Sequence, residues 1–293
     1  MSAQASAKSD GIAAVVVSYQ SAATLRSCLA ALAADERIAE IRVVDNGSSD
    51  SSVAVAREAA AADSRIAVLQ LEGNPGFAAG CNAGAAASKS PWLLFVNPDL
   101  KLPPGSAARL VAHARSLGAL GLVGADLRDT QGRRDPAARR HDLSLLRLLR
   151  SAGRRGALDT EADDAVTLQP VDACSGALML LSRAAFDVVD GFDAGYRLHV
   201  EDLDLCRRLR EAGGHVAVAN DVPVLHHRGV SSRVRPIFVE WHKHRGFWRY
   251  WWRFEASGMK VLLAPAVALV LCARLALAVP RRALAARSFS GSG

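Results

Sequence analysis

Short apolar runs alternate with alanine-rich amphipathic stretches through the first half of the chain. Continuous runs of small and β-branched apolar residues are typical of parallel strands that are covered on both faces. Apolar residues that recur every three or four positions indicate the buried stripe of a helix. We therefore predict strands at residues 12–18, 41–44, 66–71 and 92–96, and helices at 22–34, at 52–62 and after the glycine-punctuated segment 74–84.

The repeated order of strand and helix predicts an α/β fold with an open, doubly wound, mostly parallel sheet. In such sheets, ligands bind beyond the carboxyl ends of the strands. Polar residues occupy those positions here, because Asp45 follows the second strand, Asn74 the third and Asp99 the fourth. We therefore expect a ligand site at this edge of the sheet.

The second half is less regular. Its patterns predict strands at 122–126, 174–182 and 215–219, and a helix at 200–212 that ends at Gly213 and Gly214. Residues 128–167 are rich in Arg, Asp and Gly, and we predict an irregular or mobile insertion there.

The C-terminal region differs in kind. Residues 241–254 mix tryptophan, tyrosine and phenylalanine with histidine and arginine, and residues 261–279 are almost wholly apolar but interrupted by Pro265 and Arg274. An internal charge in a run of barely spanning length favours an interfacial helix over a transmembrane span. The aromatic and basic flank is typical of the membrane headgroup region. The alternative is a helix that packs on the domain or on a partner.

Composition narrows the class of protein. The chain has 293 residues, 50% of them hydrophobic and 22% charged, which suits one globular core with an appendage. Its net charge of +7 suits an acidic partner such as a phosphate-bearing small molecule, an anionic membrane or nucleic acid.

Cysteine usage and the N-terminus bear on the compartment. Five widely spaced cysteines without a CxxC motif argue against a disulfide framework or a zinc knuckle, and they favour a reducing compartment. The first residues lack the apolar core of a signal peptide, so we expect a cytoplasmic protein.

The turn after the first strand reads Ser18-Tyr19-Gln20-Ser21 and has no glycine. A dinucleotide fold would place G-x-G-x-x-G there, so a nicotinamide enzyme is disfavoured. Asp45 offers a fixed two-oxygen acceptor for a base imide or a ribose hydroxyl, although it could equally open a turn or cap a helix.

The segment NPGFAAGCN at residues 74–82 lets the backbone approach a ligand closely, and Asn82 can both donate and accept. A structural loop with a helix cap explains the same residues nearly as well. Next along the chain, Asn97-Pro98-Asp99 follows a buried strand. One carboxylate together with substrate diphosphate is a typical ligand set for Mg²⁺ or Mn²⁺, and a simple proline turn is the alternative.

Three acidic residues open the predicted helix at 200–212. Asp204 meets Arg207 and Arg208 at helical spacing, so we expect it to be ion-paired. Asp202 aligns with Cys206 instead, which makes it the freer candidate for a general base. Acidic residues at a helix start also occur for dipole reasons alone.

A further candidate is the segment His226-His227-Arg228-Gly229. One imidazole could complete a metal site and Arg228 could hold a phosphate, although paired histidines are more often structural.

Taken together, the chain resembles the family-2 inverting glycosyltransferases of the GT-A fold. Among them it looks most like bacterial rhamnosyltransferase-like members that act in polysaccharide or cell-wall assembly. The resemblance spans residues 12 to 232 and rests on these segments in order: VVVSYQ, VVDNGSSD, NPGFAAGCNAG, LLFVNPDL, CSGALMLLSRAAFDVVDGFD, EDLDLCRRL and HHRGVS.

The resemblance implies a role for each matching residue. Asp202 would be the catalytic base, and Asp99 would bind Mg²⁺ or Mn²⁺ together with His226 or its neighbour His227. Asn97 replaces the first carboxylate of the family's Asp-x-Asp. The nucleotide-sugar site would comprise Ser18, Tyr19, Asp45, Asn74, Gly76, Asn82 and Asn97, and the acceptor side Gly176 and Glu201.

The resemblance also implies an organisation and an activity. A GT-A domain would span 10–235, with a nucleotide-sugar-binding half at 10–126 and an acceptor or catalytic half at 168–235, followed by a helical tail at 236–293. We expect transfer of a sugar from a dTDP- or UDP-linked donor, with rhamnose from dTDP-rhamnose preferred, to a glycan or polyprenyl-linked acceptor. The tail would contact the inner face of the cell membrane peripherally.

Two other functions are compatible with parts of the sequence. A non-catalytic nucleotide-sugar-binding or membrane-bound polyanion-binding module would suit Asn97, but Glu201-Asp202 in a matching context argues against it. A nucleic-acid binder is disfavoured, because no binding motif is present and the basic residues cluster in the insertion and the tail.

Overall fold

A computed structural model describes residues 11–144, 147, 158–227 and 236–276 of the protein. The strands are β1 Ile12–Ser18, β2 Ile38–Asp45, β3 Ile66–Gln70, β4 Trp92–Val96, β5 Leu100–Lys101, β6 Gly121–Arg128, β7 Arg139–Arg140, β8 Leu168–Pro170, β9 Ala173–Cys174, β10 Leu178–Ser182 and β11 His215–His226. The helices are α1 Ala22–Ala33, α2 Ser52–Ala62, α3 Phe77–Ala86, α4 Ser106–Ser116, α5 Arg183–Val188, α6 Glu201–Glu211 and α7 Pro236–Phe254, followed by the terminal helix Gly258–Ala276.

One sheet organises this part of the chain. Its strand order is β3-β2-β1-β4-β10-β6-β11-β5, and β8 pairs with β11. The strands β3, β2, β1 and β4 are parallel neighbours, whereas β10 runs antiparallel between β4 and β6. The predicted α/β fold with a mostly parallel central sheet is therefore confirmed, with β10 antiparallel in its middle and the short strands β5 and β8 antiparallel to β11.

Alternate residues of the central strands face two separate apolar cores. In β1, Ala13, Val15 and Val17 belong to one core, and Ile12, Ala14 and Val16 to the other. Since burying one such branched side chain contributes roughly 1.5–3 kcal/mol, the sheet is held from both faces. This two-sided burial explains why β1 is a continuous apolar run and not an alternating one.

Several boundaries differ from the predictions. β11 continues to His226 instead of ending at 219, with a shift of register between Ala219 and Pro223. The predicted strand at 174–182 is divided into β9 and β10. The region 128–167 is not irregular throughout, because its described part contains β7 and the 3₁₀ turn Pro136–Ala138.

The two C-terminal helices, α7 and the terminal helix, differ in how much of their surface is buried. Helix α7 is part of the core, since Phe247, Tyr250 and Trp251 are buried in it. The terminal helix contributes Val267 and Leu271 to that core but is otherwise mostly exposed. By length and composition alone, it is the one helix among the described residues that could cross a membrane.

Candidate active site

The carboxyl ends of β1 and β2 form the first part of the site. Ser18 pairs with Asp45 in the parallel register, so the last residues of both strands lie side by side. Both side chains are buried, and neither Ser18 Oγ nor Asp45 Oδ1 has a hydrogen-bond partner among the described residues. A buried polar atom without a partner costs about 1–3 kcal/mol, so these two atoms are suited to a ligand.

Asp45 also closes its own turn. Its Oδ2 accepts hydrogen bonds from the backbone N–H groups of Gly47, at 3.1 Å, and Ser48, at 2.9 Å. One oxygen therefore orders the turn, which is one of the two roles expected of Asp45, while binding of a base or a ribose by the other oxygen stays a prediction.

Other residues predicted to bind the nucleotide sugar already form hydrogen bonds within the protein. Asn82 Nδ2 donates to Phe192 O at 2.7 Å and Asn82 Oδ1 accepts from Phe192 N at 2.9 Å. Asn74 Oδ1 accepts from Gly76 N at 3.2 Å, and Tyr19 N donates to Ser21 Oγ at 3.3 Å. Asn82 thus ties α3 to the second half of the chain, and ligand contacts by these residues stay predictions.

Gly76, Gly80 and Gly84 lie four residues apart and allow close packing. A Cβ on Gly84 would lie 2.3 Å from Val15 Cγ1, and one on Gly80 would lie 2.8 Å from Val17 Cγ1. Gly76 has φ +107°, and a Cβ there would lie 2.4 Å from Arg197 O. The absence of side chains lets α3 lie directly on β1 and lets the Arg197 backbone lie against Gly76.

The Asn97-Pro98-Asp99 turn meets the end of β11. Asp99 Oδ2 lies 3.4 Å from His226 Nε2, and Asp99 O accepts from His227 N at 2.9 Å. Asn97 is held through its backbone, which donates to Ala177 O at 2.8 Å. Asp99 and His226 are therefore brought together across 127 positions of sequence, and their binding of a metal stays a prediction. Arg228 lies outside the described residues.

These two side chains fit a divalent cation. Asp99 Oδ1 is buried and has no hydrogen-bond partner in the described part of the chain. A carboxylate oxygen and an imidazole nitrogen are both accepted by Mn²⁺, and substrate phosphates commonly complete such sites. No group of three or more His, Cys, Asp or Glu residues that could hold a metal ion occurs among the described residues.

Strained backbone places the acidic pair at the start of α6. His199 and Val200 have φ of 66° and 74°, in the left-handed region that a β-branched residue rarely adopts. Such strain persists only where surrounding contacts hold it, and it is common at functional sites. The strained residues lead directly into Glu201 and Asp202, which occupy the first turn of the helix.

Asp202 is not free of basic partners. Arg140 Nη2 donates to its Oδ2, which also accepts from Gly176 N at 2.8 Å, and Leu203 N donates to Oδ1 at 2.9 Å. Burial opposes the charged form, yet Arg140 and these hydrogen bonds hold the pKa of Asp202 below its usual value. The expectation that Asp202 lacks an ion pair was wrong. Helical spacing indicates partners within α6 only, whereas Arg140 lies in β7.

Glu201 has the opposite protonation behaviour. Burial and the neighbouring charge of Asp202 raise the pKa of Glu201 to about 8. Its Oε2 has no hydrogen-bond partner among the described residues. Near neutral pH, the pair therefore consists of a protonated Glu201 and an ionised Asp202, two groups with different chemical capacities.

Asp204 is structural, as predicted from its spacing. It is fully buried and forms an ion pair of 2.6 Å with Arg208, and it accepts a hydrogen bond of 3.3 Å from Tyr196 Oη. Arg207 pairs instead with Asp142 and Glu211. Asp204 is thus committed to holding α6 in place.

Sequence reasoning missed the segment from Asp135 to Arg140. Asp135 Oδ2 lies 3.4 Å from His226 Nδ1, and Arg140 binds Asp202, so one short segment touches both halves of the site. The local signal was an Asp-Pro helix cap followed by two arginines, in a region predicted to be irregular.

The sequence is similar to known glycosyltransferases along most of its length. A sequence model of the family described as glycosyl transferase family 2 matches residues 13–189. The chain is 29% identical over 289 residues to N-acetylglucosaminyl-diphospho-decaprenol L-rhamnosyltransferase from Mycobacterium tuberculosis, which covers 86% of this chain and 91% of that protein.

Solved structures share the fold. GalNAc-T7 with UDP, GalNAc and Mn²⁺ has a TM-score of 0.62 at 15% identity, over 82% of this chain and 47% of that chain. The mannosyltransferase PcManGT from Pyrobaculum calidifontis, in complex with GDP-Man and Mn²⁺, has a TM-score of 0.57 at 15% identity, over 96% of this chain and 75% of that chain. The protein thus spans less than half of GalNAc-T7, and both of these neighbours hold Mn²⁺ with a nucleotide or nucleotide sugar.

Proposed function

Since this chain belongs to glycosyl transferase family 2 and is a glycosyltransferase, we propose that it transfers L-rhamnose from dTDP-rhamnose to a polyprenyl-linked glycan, with inversion at the anomeric carbon. The observation that carries this proposal is the similarity to the mycobacterial rhamnosyltransferase over nearly the full length of both chains. That relative's name specifies a diphospho-decaprenol acceptor. The reaction would belong to polysaccharide or cell-wall assembly.

Asp202 is the proposed base of the reaction. An acceptor hydroxyl attacks the anomeric carbon, its proton passes to an oxygen of Asp202, and the bond from that carbon to the nucleoside diphosphate breaks. Direct displacement from the opposite face inverts the configuration. Gly176 N and Leu203 N hold the carboxylate in position, and the depressed pKa of Asp202 keeps it deprotonated at neutral pH.

The donor would occupy the carboxyl edge of the sheet. Ser18 Oγ and Asp45 Oδ1 are proposed to bind the nucleoside, because both are buried polar atoms without a partner in the described residues. Asp99 and His226 are proposed to hold Mg²⁺ or Mn²⁺ near the diphosphate. When bound, the cation would supply positive charge that stabilises the departing diphosphate.

The C-terminal tail, residues 236–293, is proposed to contact the inner face of the cell membrane. Met259, Leu262 and Leu269 of the terminal helix are largely exposed, and basic residues precede them in α7. Exposed apolar side chains next to cations are suited to an interfacial helix on an anionic leaflet. Contact there would bring the active site to a lipid-linked acceptor.

A donor panel tests the proposal. The full chain is incubated with Mn²⁺, a GlcNAc-diphospho-polyprenol acceptor, and dTDP-rhamnose, UDP-galactose, UDP-glucose or GDP-mannose in turn. We expect glycosyl transfer from dTDP-rhamnose alone, and an anomeric configuration in the product opposite to that of the donor. Turnover with only GDP-mannose would overturn the donor assignment, and retained configuration would overturn the direct displacement.

A further inference from the structure

A groove separates α7 from the terminal helix Gly258–Ala276. Its volume is about 240 Å³. Small-molecule pockets are typically ~300–1,000 Å³, so this groove is sized for a segment of a chain and not for a whole ligand. Its lining is almost wholly apolar and includes Trp241, Trp248, Leu271, Cys272 and Leu275, with Arg245 among the polar residues.

The groove is open to the outside of the molecule. Trp241 is 56% exposed and Cys272 is also exposed. The terminal helix that forms one wall of the groove also exposes Met259, Leu262 and Leu269, and extended exposed apolar surface marks a site for a ligand, a membrane or a partner. The opening between two helices therefore offers an apolar ligand a surface that the fold itself does not cover.

A cation lies in the lining of the groove. Arg245 is exposed and has no ion-pair partner among the described residues. Arg249 and Arg253 of the same helix are instead both bound to Asp193, at 2.9 Å and 2.8 Å. An apolar groove beside an available guanidinium matches a ligand with a long apolar chain and an anionic head.

Helix α7 connects this groove to the active site. A Cβ on Gly246 would lie 3.0 Å from Val200 Cγ2, so α7 packs directly against the residue that precedes Glu201. Positions 241, 244, 245 and 248 face the groove, and helical geometry places position 246 away from that face. Only the width of one helix, ~10 Å, separates the groove from the start of α6.

We propose that this groove binds the isoprenoid chain of the lipid-linked acceptor, and that Arg245 binds a phosphate of its head group. The inference rests on the proposed function, since it names the binding site for the lipid part of that acceptor. With the chain in the groove and a phosphate on Arg245, the diphospho-sugar would extend around α7 toward the acidic pair of α6. The remainder of the chain would continue along the exposed apolar side chains of the terminal helix.

Cys272 provides a direct test, because it lines the groove and is the exposed cysteine while the other four are buried. The full chain is mixed with phosphatidylcholine vesicles, and the rate of Cys272 alkylation by a maleimide is measured by mass spectrometry. Three vesicle samples are used. One contains phosphatidylcholine alone, one also contains GlcNAc-diphospho-decaprenol, and one also contains decaprenol without a head group. A further sample receives the same head group on a short, water-soluble alkyl chain.

We expect the full acceptor to slow alkylation about tenfold or more, since each buried methylene adds to the binding free energy. The short-chain head group should give little protection, and decaprenol alone should protect less than the full acceptor because it lacks the phosphates. Equal protection by plain vesicles would make the groove a general membrane contact and overturn the proposal. Unchanged alkylation in every sample would overturn it as well.

Filling the groove gives an independent readout. Cys272→Trp should raise KM for the decaprenyl acceptor about tenfold or more and leave the kinetics with the short-chain acceptor unchanged. Val188→Trp is the control, because Val188 at the end of α5 lies outside the C-terminal helices, is 60% exposed and does not line the groove. Equal loss with both acceptors, or equal loss in the control, would contradict a site for the chain.

The groove and the proposed function can fail separately. If the full acceptor protects Cys272 but no rhamnose is transferred, the groove stands and the donor assignment falls. Rhamnose could instead be transferred to both acceptors, while the effect of Cys272→Trp on KM and the protection of Cys272 from alkylation are the same for long and short chains. In that case the proposed function stands and the groove falls.

Discussion

At the residue scale, two adjacent carboxyl groups at the start of α6 are driven to opposite protonation states. Burial and the charge of Asp202 raise the pKa of Glu201 to about 8, whereas Arg140 and two backbone N–H groups keep Asp202 ionised despite its burial. Environments that separate the pKa values of two acids are typical of sites where the acids have distinct tasks. Asp202 is thus the group able to accept a proton at neutral pH.

Replacing Asp202 by Asn tests the base. We expect kcat to fall by ~10²–10⁴, the usual contribution of general-base catalysis, while the affinity for the nucleotide donor stays near that of the parent protein. Radiolabelled rhamnose transfer and calorimetric titration with the donor measure the two quantities. Glu211→Gln, at the exposed end of the same helix, is the control and should keep full activity. Near-normal turnover of Asp202→Asn would exclude it as the base.

Arg140 should set the acidic limb of the pH profile. Its guanidinium favours the charged form of Asp202, so Arg140→Ala raises the pKa of that carboxyl. The deprotonated base is then available only at higher pH, and the acidic limb of kcat/KM moves upward. Arg140→Lys keeps a positive charge and should move the limb less. An acidic limb that does not move in either variant would show that Arg140 does not control the base.

Asp99 is the test of the metal site. We expect Asp99→Ala to weaken nucleotide binding in Mn²⁺ by at least the ~10–100-fold that loss of a supporting residue around a metal causes. With a chelator present, the variant and the parent should bind the nucleotide equally. Fluorescence titration with a labelled nucleotide measures both conditions. An equal loss in Mn²⁺ and in chelator would assign Asp99 a role without a metal.

At the element scale, one short segment joins the two halves of the site. Asp126 is buried at the end of β6 and binds Arg128, Arg134 and Arg139. Arg134 and Arg139 flank the turn that carries Asp135 to His226, and Arg140 then continues to Asp202. Removing one partner from a buried group of ion pairs strongly destabilises a protein. The ion pairs of Asp126 therefore fix the position of the whole segment.

Helix α3 illustrates a different constraint, because its glycines set its distance from β1. Gly84→Ala gains about 1 kcal/mol of helix propensity, but its Cβ would lie 2.3 Å from Val15 Cγ1, and overpacking costs about 1–3 kcal/mol. We expect a net loss of up to about 2 kcal/mol in the free energy of unfolding, measured by urea denaturation. Val15→Ala alone is also destabilising because Val15 is buried, so relief of the contact should appear as a loss in the double variant that is smaller than the sum of the two single losses. Unchanged stability of the single variant would show that α3 can shift.

At the scale of the whole molecule, the aromatic C-terminal stretch serves two purposes. In α7, Tyr250 and Trp251 complete the core, and Arg249 and Arg253 bind Asp193 of the second half. Trp241 and the terminal helix are exposed instead. The predicted tail therefore begins with a helix that stabilises the folded body, while the helix that follows leaves most of its apolar surface exposed.

Much of this architecture could be predicted from the sequence because it depends on local pattern. The apolar runs predicted the positions of β1 and β4, and their alternation with helices predicted a mostly parallel sheet. The motifs and their order along the chain indicated the family. The positions of Asp45 and Asp99 at the edge followed from the strand ends. The ion pair of Asp204 with Arg208 followed from helical spacing, since its partners are four residues apart.

Only the tertiary structure decided the contacts between distant residues. The partner of Asp202 is Arg140, 62 positions away and in another strand, and no periodicity in either segment indicates that pairing. The role of the glycines in α3 depended on the facing valines of β1, and the burial of α7 depended on the surface it meets. Sequence pattern specifies which face of an element is apolar, whereas the packing of elements decides what that face touches and which charges its polar groups meet.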